Sequence, residues 1–361
     1  MKKKSKYNVA VVGVGAVGVE MLRVLKEHAF PLDQLRVFAR SRRNITVDGQ
    51  AYEVQETSPE GFAGIDFALF AGTEGEKGAA VVFAPEAVKR GAVVIDNGAD
   101  FRMHKNVPLV VPEVNGADAR QHHGIIANPN CSTIQMVVAL APIHRTVGIK
   151  RVVVATYQAV SGAGRGALRQ LWDEMGELRE NAELESVFLN PLQCRRHADT
   201  RAFAQQIALN ALAQIGGFGD DGFTSEEWKM VHETHKILHD RRIKVSATCI
   251  RVPVLNAHSE AVYLETRRPA TVAQIRSWLA KAAGVIVIDD PATGRYPMPA
   301  AASGKDDVFV GRIRRDPFVK NGFWLWVVSD NLRKGAATNA VQIAEYLIGK
   351  KVLVECRRVL P

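Results

Sequence analysis

Short apolar runs alternate with longer amphipathic stretches through the first third of the chain. YNVAVVG (7–13), QLRVFA (34–39), DFALFAG (66–72), AVVIDN (92–97) and GIIANP (124–129) read as strands, and AVGVEMLRVLKEHA (16–29) and KGAAVVFAPEAVKRG (77–91) as helices. Strands that are apolar on both faces, with helices between them, predict a parallel, doubly wound sheet. After residue 131 the texture changes. CSTIQMVVALAPIHRTV (131–147) has helical spacing, and KRVVVATYQAV (150–160), IKVSATCIRVPV (243–254), SEAVYLETR (259–267), DVFVGRIRR (307–315) and GFWLWVVSD (322–330) are longer strands. Two helices interrupt them, SEEWKMVHETHKILHD (225–240) and TVAQIRSWLAKAAG (271–284). This pattern predicts an α+β domain on a mixed or antiparallel sheet. A last helix, LRKGAATNAVQIAEYLIG (332–349), is expected to pack back on the first domain. The stretch from Glu185 to Gly222 has weak periodicity and predicts no element.

At 361 residues, 47% of them apolar, the chain is long enough for two ordered domains. Its net charge is +9, partly from the leading MKKKSK, which reads as a solvated tail. The remaining charge is diffuse and lacks the aromatic-interleaved stripe of a nucleic-acid binder, so a small anionic ligand fits it better. No apolar run reaches membrane-spanning length. The glycine-rich run after the basic head passes directly into a helix, unlike a signal peptide. The four cysteines, Cys131, Cys194, Cys249 and Cys356, are far apart with no C-x-x-C pair. That argues against a disulfide framework or a structural zinc site and for a reducing cytoplasm.

Two stretches carry chemistry. Gly13, Gly15 and Gly18 form a G-x-G-x-x-G between a strand and a helix, with Ala16 and Val17 opening that helix. This arrangement lets backbone approach a pyrophosphate at a helix N-terminus. An NAD enzyme typically has an acid at the end of the next strand. Here Arg40, Ser41, Arg42 and Arg43 stand there instead, which favours the 2′-phosphate of NADP. The second stretch is ANPNCSTIQ. Asn130 suits a helix cap, so Cys131 begins a helix, where free N–H groups and the dipole are expected to lower a thiol pKa. The bland alternative, a small buried hydrophobe, suits Cys194, Cys249 and Cys356 better. Among ten histidines, His258 at the mouth of a strand leads modestly as acid or base. His122 and His123 precede the cysteine strand, while His232, His235 and His239 read as surface or packing residues.

VVGVGAVG, ANPNCSTIQ, YQAVSGAG, EEWKMVHETHKI, RVPVLNAHSEAV and SDNLRKGAATNAVQIAE, in this order, resemble the aspartate-semialdehyde dehydrogenases over nearly the whole chain. The resemblance implies a glyceraldehyde-phosphate-dehydrogenase-like architecture. An N-terminal Rossmann-like NADP-binding domain would comprise residues 1–131 and 332–361, and an α+β catalytic and dimerisation domain residues 132–331. It implies Cys131 as nucleophile, Gln158 as its positioning partner and His258 as acid/base. Arg251 would grip the substrate carboxylate, Glu226 would face its ammonium, and Arg102 and Lys229 would hold phosphate. Asn130 joins this substrate set, and Ser161, Gly162 and Asn331 fall where the family touches nicotinamide. No metal is implied, and at least a homodimer is.

The implied reaction is NADPH-dependent reductive dephosphorylation of L-aspartyl 4-phosphate to the semialdehyde through a Cys131 thioester, before lysine, threonine and methionine. Aspartyl phosphate carries a carboxylate, an ammonium and a phosphate, so one arginine fork, one carboxylate and two more cations suit it. Each assignment has a structural alternative. Glu226 and Lys229 could form a surface ion pair, Arg102 and Arg251 structural ion pairs, and Gln158 a strand-end hydrogen bond. Val14, Gly98, Ala99, Asp100 and the FAGTEGEKGA loop depart from the family pattern and bear on affinity more than reaction type. Two rivals compete. An N-acetyl-γ-glutamyl-phosphate reductase would not need Glu226, because its substrate amine is uncharged. A non-catalytic paralogue would lack Cys131, Gln158, Arg251 or His258, and all four are present.

Overall fold

A computed structural model describes residues 4–72, 78–181, 183–191 and 202–350. Thirteen strands are described, in two sheets. The first contains β1 (Tyr7–Val12), β2 (Leu32–Ala39), β3 (Arg43–Val47), β4 (Gln50–Glu56), β5 (Phe67–Phe70), β6 (Val93–Asp96) and β7 (Ile125–Ala127). Its order is β3-β4-β2-β1-β5-β6-β7, parallel except for the β3–β4 pair. The order reverses between β1 and β5, the switch point where doubly wound sheets bind ligands. The second sheet contains β8 (Ile149–Gln158), β9 (Lys244–Arg251), β10 (His258–Thr266), β11 (Val285–Val287), β12 (Val308–Arg315) and β13 (Gly322–Ser329). Its order, β11-β12-β13-β10-β8-β9, mixes parallel outer pairs with antiparallel inner ones.

The helices are α1 (Ala16–Glu27), α2 (Ala79–Lys89), α3 (Pro112–Asn115), α4 (Cys131–Val147), α5 (Arg165–Asn181), α6 (Leu184–Leu189), α7 (Ser225–Ile237), α8 (Val272–Ala280), α9 (Pro299–Ala302) and α10 (Thr338–Leu347). The central one is α4. Asn130 caps its start by accepting from the N–H groups of Ser132 and Thr133, and Gly148 ends it at φ +70°. Nearly every residue of α4 is buried, because one side meets the second sheet and the others meet α3, α7 and α8. In α7, a capping box between Thr224 and Glu227 sets the first turn. As expected, α10 packs on α1, β5 and β6 of the first domain.

Alternation along β8, β10 and β13 gives the second sheet two unlike faces. Val152, Val154, Val262, Leu264, Phe323, Leu325 and Val327 are buried with α4 in the largest core. On the other face Tyr157 pairs with Trp326 and Tyr263 with Trp324, and most of these rings are only half-buried. Several elements exceed the expectation from sequence: the β3–β4 hairpin, β11, α5 with α6, and the short helices α3 and α9. Part of the stretch from Glu185 to Gly222 is the end of α6 and a loop carrying buried Ile207 and Ala208. Residues 192–201 of that stretch lie outside the described residues, as do Cys194, Cys356, Met1–Lys3 and the Thr73–Lys77 part of the departing loop. At the basic N-terminus, Lys4 pairs with Asp66 at 2.6 Å. No helix among the described residues is long and apolar enough to cross a membrane.

Candidate active site

Two sites emerge, one at the end of β1 and one at the start of α4. At the first, Gly13 has φ +98°, and a Cβ on Gly18 would stand 1.8 Å from the Gly13 carbonyl oxygen. Both positions require glycine. Gly15 caps α1 without any side-chain hydrogen bond, and nothing lies within 4 Å of where its Cβ would be. The start of α1, at Ala16 and Val17, therefore has open space beside Gly15, which suits the close approach of a dinucleotide pyrophosphate to a helix N-terminus. Val14, where the family has a hydroxyl, is instead buried in the first-domain core. At the end of β2, Arg40, Ser41 and Arg42 are exposed, and Arg43 holds the Ser41 hydroxyl at 3.1 Å. The segment that follows β2 contains no acid, although Glu56 of β4 pairs in register with Ala39 beside it.

At the second site, sheet register does the assembly. Gln158 of β8 pairs with Arg251 of β9, and Tyr157 pairs with Ser259 of β10, so Gln158 and His258 fall side by side. Arg251, Gln158 and His258 thus form one row across three strands, on the face that meets α4. His258 is fully buried. Its Nδ1 accepts from the Ala159 N–H at 2.9 Å, which puts the proton on Nε2, and Nε2 has no partner. Burial, then Arg251, push its pKa well down, so the imidazole is neutral. Arg251 donates to the Ala159 carbonyl at 2.8 Å and lies over Phe203, while its Nε is unpartnered. No carboxylate pairs with it among the described residues.

Helix α7 supplies the acids. Glu226 is buried and accepts from Asn130 Nδ2 at 2.8 Å and Gln158 Nε2 at 3.3 Å, and Lys229 Nζ lies 3.7 Å from it. The i,i+3 spacing expected from sequence is therefore realised, but inside the site rather than on the surface. Glu233, two turns on, is a residue that sequence reasoning misses. It accepts from the Asn130 N–H at 2.7 Å and from Arg102 at 3.0 Å. Another nitrogen of the Arg102 guanidinium donates to the Asn97 carbonyl. The seven-residue spacing from Glu226 was the available signal, since it repeats one helix face. His232 stacks on Trp228, His235 bonds the Ile243 carbonyl and His239 pairs with Asp118, packing and surface roles as read from sequence.

Cys131 departs from expectation. Its thiol is not lowered but pushed up to about 12, by burial first and by the Glu226 carboxylate second. Arg251, Arg102 and the Ser132 N–H at the helix start pull the other way without prevailing. Cys249, by contrast, is the buried structural thiol expected, in contact with Met230. Ser161 and Asn331 meet each other: Asn331 Nδ2 donates to Ser161 Oγ at 2.9 Å, and Asn331 Oδ1 accepts from the Ala257 N–H. Gly162 lies against the Arg251–Gln158–His258 row, where a Cβ would come within 2.9 Å of Arg251 and 3.2 Å of His258. The structure therefore brings Asn130, Cys131, Gln158, Glu226, Lys229, Arg251 and His258 together, with Ser161, Gly162 and Asn331 on their border. The arginines after β2 stand apart at the other site.

Two family models match, the semialdehyde dehydrogenase NAD binding domain over residues 8–122 and the semialdehyde dehydrogenase dimerisation domain over 140–334. The aspartate-semialdehyde dehydrogenase of Bacillus subtilis (strain 168) is 51% identical over 345 residues, 94% of this chain and 97% of that protein. Among solved structures, aspartate semialdehyde dehydrogenase II of Vibrio cholerae, complexed with ASA, is 43% identical with a TM-score of 0.86, covering 96% of this chain and 100% of that one. The Candida albicans enzyme with NADP is 26% identical with a TM-score of 0.70, covering 97% and 100%. Matches of this extent, over both sheets and both sites, establish that the chain belongs to the aspartate-semialdehyde dehydrogenase family.

Proposed function

We propose that the chain catalyses the reductive dephosphorylation of L-aspartyl 4-phosphate to L-aspartate 4-semialdehyde with NADPH. The observation that carries this reading is Cys131 at the start of α4, facing the row of Arg251, Gln158 and His258 with the buried Glu226 carboxylate beside it. Arg251, with unpartnered Nε, offers a fork for the substrate α-carboxylate. Glu226 offers its charge to the ammonium, and this favours a free amine over the acetylated substrate of the rival reductase. Lys229 and Arg102 lie on the side that a phosphate would take. Gln158, held between Glu226 and Thr156, orients the acyl group.

Cys131 sulfur attacks the acyl carbon and the carbon–oxygen bond to phosphate breaks. The thiol proton leaves with the departing group as hydrogen phosphate, so the charges balance. His258 Nε2–H is free to donate to the carbonyl oxygen, which becomes negative in the tetrahedral adduct. After the thioester has been reduced, the thiohemiacetal collapses with the Cys131 sulfur as leaving group, the His258 hydrogen bond stays on the oxygen that becomes the aldehyde carbonyl, and a proton from solvent restores the Cys131 thiol. In the reverse direction the Cys131 sulfur attacks the aldehyde carbon, and neutral His258 Nε2–H hydrogen-bonds the oxygen that becomes negative. NADPH, when bound, supplies the hydride that reduces the Cys131 thioester. The Gly13–Gly18 cradle would hold its pyrophosphate, Arg40, Ser41 and Arg42 its 2′-phosphate, and Ser161, Gly162 and Asn331 its nicotinamide end.

Residues 1–131 with 332–361 form the cofactor domain in this reading and 132–331 the catalytic one. Copies pair across the half-covered sheet face of Tyr157, Trp326, Tyr263 and Trp324, a contiguous apolar surface of the kind that dimers bury. A reducing, cytoplasmic setting suits a free, oxidisable Cys131. The test is an oxidation assay with aspartate semialdehyde. NADP reduction should require inorganic phosphate and should not occur with N-acetylglutamate semialdehyde. Preference for the acetylated compound, or phosphate-independent turnover, would overturn the reading.

A further inference from the structure

We propose that Gly335 is a positioning residue for the nucleophile, a backbone stop against which Cys131 is set. A Cβ on Gly335 would lie 2.9 Å from Cys131 Cβ and 3.3 Å from its Cα. Carbon atoms in ordinary contact stand about 3.5–4.0 Å apart. Nothing else at this position calls for glycine. Gly335 is absent from the residues of positive φ, so an alanine fits its backbone. It is also within a helical segment, where alanine is intrinsically preferred to glycine. Only the cysteine excludes a side chain.

The segment that carries Gly335 is unusual and tightly held. Arg333–Ala337 is a π-helical turn leading into α10, a rare geometry that recurs at functional sites. Asp330 organises its approach: one carboxylate oxygen accepts from the N–H groups of Leu332 and Arg333, the other from Asn256 and the Gly304 N–H. The Gly335 N–H itself donates to the Asp330 carbonyl at 3.0 Å. Two residues before Gly335, Arg333 binds Glu20, Glu27 and Asp306. Immediately before it, the fully buried Lys334 ammonium meets both Glu113 oxygens at 2.7 Å, Gln342 at 2.6 Å and Asn339 at 3.0 Å. Two charged anchors on adjacent residues leave the backbone at 335 little freedom to retreat. The π-helical turn is held from several directions, and its middle residue lies against Cys131.

The inference rests on Cys131 being the nucleophile. Gly335→Ala in the full-length enzyme must displace Cys131 or the turn by several tenths of an ångström. Misplacement of a reacting atom by about 1 Å can cost on the order of a hundredfold. Turnover number should therefore fall by roughly ten- to a hundredfold, and the rate of Cys131 alkylation by iodoacetamide should change with it. KM for aspartate semialdehyde and affinity for NADP should hold, a split that general structural damage would not give. Wild-type turnover and alkylation in Gly335→Ala, or parallel loss of NADP binding, would overturn the proposal. Should that variant not fold, the paired Lys334→Met and Glu113→Leu variant loosens the turn without leaving a lone buried charge. It should lower turnover with NADP affinity intact, and unchanged turnover would again overturn the proposal. Cys131→Ala separates the two readings: if it is inactive while Gly335→Ala is normal, only the positioning role falls.

Discussion

At Cys131 two local effects compete, and the outcome differs from what a helix start alone predicts. The first-turn N–H of Ser132 and the two arginines favour thiolate, but burial and Glu226 outweigh them in the ligand-free site. The sequence shows the cap and the acid separately; only folding puts α7 beside α4. In the proposed reaction, pairing of Glu226 with a substrate ammonium would cancel its part of the opposition and favour the Cys131 thiolate. Glu226→Gln separates the two roles. Without the carboxylate the thiol pKa drops, so iodoacetamide should alkylate Cys131 faster at neutral pH, by about tenfold. In the same variant the apparent KM for aspartate semialdehyde should rise about ten- to a hundredfold, the loss of roughly 1.5–3 kcal/mol for one charge-assisted contact. Slower alkylation, or an unchanged KM, would refute this role for Glu226.

Among the elements, those legible in the sequence are the ones with a single strong signal. The continuous apolar strands β1, β5 and β6 are buried on both faces. Helix α4 carries Asn130 and an apolar surface on all sides. The β3–β4 hairpin was less legible because it is an edge: Val47 and Val54 are its only buried residues. Its sign was the Asp48–Gly49 turn, with φ of +49° and +80°. Helix α5 is mostly polar and buries its stripe, Ala167, Leu171 and Leu178, in a small separate cluster. Register is the part that sequence cannot supply. The Arg251–Gln158–His258 row exists because β9, which is distant in sequence, pairs parallel to β8. At the end of β2 the sequence offers Arg40 and Arg42 as candidates for a 2′-phosphate. Replacing Arg40 and Arg42 with alanine should weaken NADP binding by about ten- to a hundredfold and leave NAD binding nearly unchanged. Isothermal titration with both cofactors measures this, and equal losses would remove these arginines from 2′-phosphate recognition.

On the scale of the whole molecule, the last segment of the chain ties the two sheets together. His28 at the end of α1 lies 3.2 Å from Glu345 of α10 and 3.3 Å from Asp306, which precedes β12. Arg333 shares Asp306, and Lys350 shares Glu345. Burial opposes the His28 charge, but the two carboxylates outweigh it and raise its pKa to about 9. A raised folded-state value stabilises the fold while histidine is protonated. The contribution is full below the unfolded value of 6.5 and is lost as pH rises through about 9. Thermal unfolding of His28→Gln should therefore show a smaller decline between these limits than wild type, by no more than about 3 kcal/mol. Parallel pH profiles would rule out the clamp. The two sheets so joined bring a cofactor cradle to a cysteine, and the account stands or falls on that cysteine's acyl chemistry. The direct measurement is intact-protein and peptide mass spectrometry after mixing the enzyme with aspartate semialdehyde and NADP in the absence of phosphate. The account predicts an aspartyl adduct on the Cys131 peptide that disappears when phosphate is added. Turnover with no adduct, or with the adduct on another residue, would contradict it.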